Sequence, residues 1–244
     1  MAAIIELSGV ALGFGPEAAT NPVLTNVDLT VESGSFVAIV GPSGVGKSSL
    51  LRVVAGLLPA ACGQVRVAGE KRPDRRRIGM VFQDPRLLPW RRVAANVRLG
   101  LEGLALSRTQ KAERVADALK LARLEGFDGR WPHELSGGQR QRAGIARALA
   151  VSPDILLMDE PFGALDAITR RGLQDELRRI HAETGKTILF VTHDIDEAAR
   201  LADRILLLGG APARIRQDAP NDRDADDGAA RARIEAGLAD GYEI

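Results

Sequence analysis

Ser35-Phe36-Val37-Ala38-Ile39-Val40 runs directly into Gly41-Pro42-Ser43-Gly44-Val45-Gly46-Lys47-Ser48, and this junction decides the fold. The residues before Gly41 form a continuous apolar, β-branched run, which predicts a strand buried on both faces. Beyond the glycines, Leu50, Leu51, Val53 and Val54 recur at helical spacing until Gly56 and Pro59 stop the helix. The octapeptide satisfies G-x-x-x-x-G-K-[ST] in the strand-to-helix setting that this pattern requires. Glycines allow the loop to turn its backbone N–H groups inward, and the helix N-terminus adds partial positive charge. Lys47 can reach the terminal phosphates of a triphosphate, and the Ser48 hydroxyl can ligate Mg²⁺.

Working outward, Ile155 to Met158 and Thr187 to Thr192 are short apolar runs that read as buried strands, and Arg204 to Leu208 reads as another. Asp194 followed by Glu197 predicts a capping box opening a helix through Leu201. Strands alternating with helices imply an α/β protein with a mostly parallel sheet. Residues 84 to 152 lack a strand pattern, and Val115, Ala118, Leu119 and Ala122 recur at helical spacing, so a helical insertion into the core is expected there. Ile4 to Val10 and Val27 to Val31 suit a flanking antiparallel sheet. The expected organisation is one α/β domain over residues 1 to 216, followed by a solvated, aspartate-rich tail over 217 to 244 with an Ala/Arg-rich helical stretch.

Composition limits the function. The 244 residues carry 33 Lys and Arg against 32 Asp and Glu, a net charge of +1, so a broad basic surface for nucleic acid is not expected. Hydrophobic residues make up 45% and charged residues 27%, which excludes disordered, collagen-like and coiled-coil chains. The single cysteine, Cys62, cannot form an internal disulfide; its apolar neighbours suggest a small buried hydrophobe in a reducing compartment. Met1 to Phe14 lacks a basic leader and carries Glu6, so no cleaved signal peptide is expected. No window offers the roughly 18 apolar residues of a membrane span. Work at a membrane would therefore go through a partner.

Two further stretches carry chemistry. Ile155 to Met158 ends in Asp159-Glu160, two adjacent carboxylates at the edge of a sheet where α/β proteins bind ligands. Asp159 suits metal binding, and Glu160 suits orienting or deprotonating a water. Leu135-Ser136-Gly137-Gly138-Gln139 precedes Ala143, Ile145, Ala146 and Leu149 at helical spacing. It reads as a helix N-terminus with a hydroxyl and two uncluttered N–H groups, a second anion site, although Ser136 by itself is also an ordinary N-cap.

The order of these motifs resembles the ATP-binding subunit of ABC transporters. The resemblance runs from about Ile4 to Ala213 and rests on the P-loop at 41 to 48, Gln83 after Val81-Phe82, LSGGQ at 135 to 139, ILLMDE at 155 to 160, Gly163-Ala164-Leu165-Asp166, and Val191-Thr192-His193-Asp194. It implies a P-loop NTPase core that hydrolyses ATP with Mg²⁺, two copies sandwiching two nucleotides head to tail. On that likeness Lys47, Ser48, Ser49, Gln83, Asp159, Glu160 and His193 act on one nucleotide, with Ser48, Gln83 and Asp159 around the metal. Ser136, Gly137, Gly138 and Gln139 of the other copy approach its γ-phosphate. Asp166 corresponds to the residue communicating across the pair, and Phe14 to the aromatic that stacks on adenine. Phe14 stands where tyrosine is commoner, and the loop from Pro16 to Pro22 is longer than usual.

Phe82 to Val93 (FQDPRLLPWRRV) is similar to the nitrate, taurine and aliphatic-sulfonate importer subunits, in the region where the family docks its membrane subunit. Leu87, Leu88 and Trp90 are then either coupling surface or helical core. The implied partners are a second cassette, a pair of membrane permease subunits and, through them, an extracytoplasmic solute-binding protein. The implied place is the cytoplasmic face of the cell membrane. Exporter and lipid-handling cassettes share the motifs. Non-transport cassettes fit less well, because no second cassette is present and no sustained heptads separate Lys47 from Asp159.

Overall fold

The computed structural model describes residues 2–14, 22–69 and 71–222. In chain order the elements are β1 (Ala3–Leu12), β2 (Leu24–Glu32), β3 (Phe36–Val40), α1 (Lys47–Val54), β4 (Cys62–Val67), β5 (Ile78–Val81), α2 (Val93–Leu99), α3 (Arg108–Leu121), α4 (Gly137–Ala150), β6 (Ile155–Asp159), α5 (Ala167–Thr184), β7 (Thr187–Thr192), α6 (Ile195–Leu201), β8 (Arg204–Gly209) and β9 (Arg214–Pro220). They group into two compact units, residues 1–68 with 187–244, and residues 69–186.

In the first unit β3 pairs in parallel with β7 on one side and β8 on the other. Every residue of β3 and β7 is buried, as a continuous apolar run requires of strands covered on both faces. Phe36 and Phe190 meet edge to face, with ring centroids 5.5 Å apart. Each fully buried side chain of this kind contributes about 1.5–3 kcal/mol relative to exposure. A second sheet, ordered β2-β1-β4, is antiparallel. Along β2 buried and exposed positions alternate, the mark of a sheet with one solvated face.

The first unit also corrects three expectations. Cys62 is exposed at the start of β4, because that strand lies on the sheet's outer side and is mostly solvent-facing. The aspartate-rich segment does not begin as a solvated tail at 217: β9 continues to Pro220, antiparallel to β8, and the Arg204 guanidinium grips Asp218 with Nε 2.6 Å from Oδ1. Asn221 then donates to the carbonyls of Ala199 and Ala202 at the end of α6, both at 2.8 Å. At the start of α6 Asp194 caps the N–H groups of Asp196 and Glu197, but Glu197 does not complete a box. Its buried carboxylate instead accepts the Thr192 hydroxyl at 2.6 Å. The long loop expected at 16 to 22 and the helical stretch expected near the C-terminus lie outside the described residues, apart from Pro22 in the former and 217–222 before the latter.

In the second unit β5 and β6 run parallel, with Val81 opposite Met158. Gly79 allows β5 to lie directly against α4, since a Cβ there would collide with the Ala148 carbonyl. Between 84 and 152 the described elements are α2, α3, α4 and a 3-10 turn at Pro132–Glu134. Val93, Val97, Leu101, Leu119, Ala143 and Ala146 join these helices in one apolar cluster. Ser107 opens α3 with a full capping box to Gln110.

Candidate functional site

In the first unit, the loop between β3 and α1 carries two glycines in backbone conformations that L side chains rarely adopt, Gly44 at φ 81° and Gly46 at φ 104°. Gly41 faces a different constraint: a Cβ there would lie 2.5 Å from the Leu208 carbonyl oxygen of β8. The loop is thus pressed against the sheet edge as well as tightly turned. Lys47 is 4% exposed, and its ammonium donates to the carbonyls of Gly41 (2.7 Å) and Pro42 (2.8 Å). A buried ammonium needs such acceptors, and these fix the cation at the loop. Pro42, Val45, Ser48 and Ser49 are half-buried, while Ser43 is exposed.

Parallel register carries His193 to the same edge. Val40 pairs with Thr192, so Gly41 and His193 leave adjacent strands at one level. Thr192 donates to Glu197 and accepts the N–H of Asp194 at 3.0 Å, which fixes the backbone on both sides of the exposed His193. Phe14 is 58% exposed just beyond β1. Two residues earlier Leu12 pairs with Leu24, whose side chain lies against Gly46. The structure therefore gathers Phe14, the loop, Lys47, Ser48 and His193 in one unit.

The second unit gathers the other candidates. All five residues of β6 are buried; Asp159, at its end, is 8% exposed. Glu160 follows, half-buried, with φ 43°, in the left-handed region that non-glycine residues seldom occupy. Because β5 and β6 are in register, the chain leaves both strands at the same edge, and Gln83 emerges beside the carboxylates. A Cβ on Gly163 would lie 3.3 Å from Gln83 Nε2 and 3.8 Å from Glu160 Oε2, so both side chains converge on that glycine.

Ser136 is the N-cap of α4: its hydroxyl accepts the Gln139 N–H at 3.2 Å, and the Gln139 side chain accepts the Ser136 N–H at 2.9 Å. Gln139 is thereby explained as the second half of a capping box. First-turn N–H groups of a helix have no partner within the helix, so those of Gly137 and Gly138 can donate to an anion. Asp166 caps α5 by accepting the N–H groups of Ile168 (3.1 Å) and Thr169 (3.0 Å). Chiefly the Thr169 N–H, then the Thr169 hydroxyl, hold its carboxyl below the usual carboxylate range. The two helix starts are packed together, with Gly137 beside Leu165 and Gly138 beside Thr169. A cleft of about 400 Å³ next to them is lined by Gln83, Asp84, Gly137, Arg140, Gln141 and Leu165, among others.

That packing is testable. A Cβ at Gly138 would collide with Thr169 Cγ2. Gly138→Ala is expected to cost roughly 1–3 kcal/mol through overpacking, read as a lower thermal midpoint. Thr169→Ser removes the colliding methyl, keeps the hydroxyl and should restore most of the loss in the double variant; an additive double variant would place the strain elsewhere.

Leu87 packs against the helical core, Leu88 is half-buried, and Trp90 stands 69% exposed. Several contributors had no local signal in the sequence. Leu24 beneath Gly46 is an ordinary strand leucine, and Glu197 beneath Thr192 resembles a cap. Gln141 and Arg147 look like the solvated side of a helix, yet both bind the segment carrying Gln83.

Residues 24–163 match the family model described as ABC transporter. The chain is 47% identical over 201 residues to the taurine import ATP-binding protein TauB of Escherichia coli O157:H7, covering 82% of this chain and 78% of that protein, and 46% identical to TauB of Escherichia coli K12 over the same shares. Among solved structures it resembles the dimeric ATP-binding cassette MJ0796 in a post-hydrolysis state bound to ADP and Pi, with a TM-score of 0.74 and 35% identity over 88% of this chain and 98% of that one. It also resembles cbiO1 of Clostridium perfringens, part of the ABC transporter complex cbiONQ, with a TM-score of 0.80 and 26% identity over 97% and 93% of the two chains. With these matches, the chain belongs to the ABC transporter family, as one of its ATP-binding ATPase subunits.

Proposed function

We propose that this subunit drives import of taurine or a related small sulfonate, working in pairs on the cytoplasmic face of a membrane permease that is served by an extracytoplasmic solute-binding protein. The observation that carries this reading is the 47% identity, over 78% of its length, to a protein named for taurine import. The exposed Trp90, in a segment similar to the nitrate, taurine and sulfonate importers, supports it.

In this reading the backbone N–H groups of residues 41 and 43 to 46 and the Lys47 ammonium hold the β- and γ-phosphates, and Phe14 stacks on the base. On the family's pattern, Ser48 of the first unit and Gln83 and Asp159 of the second would each offer a hard oxygen donor suited to a Mg²⁺ that stays largely bound to nucleotide phosphates. When bound, the ion supplies charge neutralisation at the phosphates. Glu160 orients and deprotonates the attacking water, and His193 donates toward the γ-phosphate. Ser136, Gly137 and Gly138 of the second copy close the site, so turnover waits on pairing. Asp166, at the start of the helix packed against them, relays that closure.

The test is reconstitution of the chain with its permease pair in liposomes, with the solute-binding protein on the opposite face from ATP. Accumulation of labelled taurine, accompanied by stimulated phosphate release, is expected. Uptake of nitrate in place of taurine would overturn the solute assignment, and ATP-driven efflux would overturn import.

A further inference from the structure

The segment from Phe82 to Arg92, which begins beside Gln83 and ends past Trp90, is bound to the helices behind it at two places. The first is α4. Gln141, 2% exposed, donates from Nε2 to the Phe82 carbonyl at 3.1 Å. One turn on, Gly144 lets Pro85 lie so close that a Cβ would meet the proline Cβ at 3.0 Å. One turn further, the Arg147 guanidinium forks onto two successive carbonyls, Pro85 through Nη2 and Arg86 through Nη1, the latter at 3.2 Å. Positions 141, 144 and 147 share a face and span about 9 Å of helix at 1.5 Å per residue. One contact would let the segment pivot; three along an axis do not. Burial, then the neighbouring Arg86 cation, pushes the Arg147 guanidinium below its usual range, the signature of a cation drawn out of water to serve carbonyls.

The second place is α2. Asn96, fully buried, accepts the Leu88 N–H at 2.7 Å, and its Nδ2 lies 3.1 Å from the Leu88, 2.8 Å from the Arg91 and 3.2 Å from the Arg92 carbonyl. A neutral amide is the side chain that can both accept and donate there; a carboxylate would lose the donors and carry a buried charge. Helices α2 and α4 share one apolar cluster through Val93, Val97, Ala143 and Ala146. Trp90 is therefore displayed on a segment welded to the helix whose first turn is Gly137-Gly138.

We propose that Gln141, Arg147 and Asn96 are positioning residues that make the Phe82–Arg92 segment and the start of α4 move as one body, so that nucleotide-driven closure at Ser136 is delivered to Trp90 and the permease. This rests on the reading that a paired cassette brings ATP to Ser136. Sequence alone hides the α4 half of the device, since the contacts of Gln141 and Arg147 join residues about sixty positions apart.

Hydrogen–deuterium exchange on the full chain tests it. A Glu160→Gln background holds the ATP-bound pair, and the probe is ATP with Mg²⁺. In that parent, ATP should slow exchange at 136–140 and alter it at 84–92 together. With Arg147→Met added, pairing measured by light scattering and protection at 136–140 should persist while the response at 84–92 is lost; Arg147→Lys, a single point cation, should restore part of it. An unchanged response at 84–92 in Arg147→Met overturns the coupling, as does a parent in which 136–140 responds and 84–92 does not. If the melting point of Arg147→Met falls, Gly144→Ala, which displaces Pro85 without removing a charge, reads the same coupling. A parent that neither pairs nor protects 136–140 would overturn the paired-cassette reading itself.

Discussion

Replacing Glu160 by glutamine is expected to lower steady-state phosphate release by roughly 10²–10⁴-fold, the usual contribution of a positioned acid or base. The position favours a clean result. Glu160 follows a strand buried along its whole length, so the backbone that aims the side chain is fixed by packing that the substitution does not touch. Its φ of 43° is strained for any non-glycine residue, and glutamine bears the same strain as glutamate. Size and the ability to orient a water are retained; what is lost is the basic carboxylate. Nucleotide affinity should stay close to that of the parent, and the ATP-bound pair should accumulate because it is no longer consumed. Phosphate release and light scattering on the same sample read both effects. Near-parental release would remove Glu160 from the chemistry and turn attention to the other polar side chain converging on Gly163, that of Gln83.

What could be read in the sequence follows a physical pattern. The β3-loop-α1 junction was legible because three independent signals coincide there: an apolar run, glycines at turning points and helical periodicity. The same holds for β6 and β7, whose every residue is buried. Two of the edge strands, β9 and β4, are not legible. β9 reads Arg-Ile-Arg-Gln-Asp-Ala-Pro, with exposed charges on one face, and only its pairing with β8 makes it a strand. β4 is hidden for the same reason, and the exposure of Cys62 with it: local apolar neighbours say nothing about which side of a sheet a residue faces. Glu197 shows a subtler limit. A carboxylate three residues past an N-cap satisfies the capping pattern, but a buried threonine hydroxyl offered it a drier partner.

The candidate site was legible in its residue types and not in its supports. Sequence placed Lys47 at phosphates without showing that its ammonium is already held by two loop carbonyls. It identified Gln139 as part of a motif without showing that its side chain completes the cap of α4. Supports of this kind are long-range or depend on rotamers, and no periodicity encodes them. They also explain why neighbouring positions should respond differently to substitution: Gly138 meets Thr169, whereas Gly44 has open space and is constrained by φ alone.

Lys47→Ala is expected to weaken ATP binding by roughly 10–150-fold, the equivalent of the 1.5–3 kcal/mol that a hydrogen bond to a charged group contributes. The loss should appear in affinity before it appears in turnover, the reverse of Glu160→Gln. Without nucleotide, Lys47 already carries two bonds to Gly41 and Pro42, so the protein keeps a desolvated cation at the loop before phosphate arrives. Alanine releases those carbonyls to water at modest cost, since the glycine conformations and the close approach of Gly41 to Leu208 do not depend on the lysine. The thermal midpoint should therefore move little in the absence of ATP, while the stabilisation that ATP confers by mass action falls with affinity. Lys47→Arg should not rescue binding, because a planar guanidinium cannot occupy a site built for a compact ammonium that is 4% exposed. Calorimetric titration and melting curves with and without nucleotide measure both quantities. Unchanged affinity in Lys47→Ala would mean that backbone N–H groups alone hold the phosphates, leaving the lysine only a brace for its own loop.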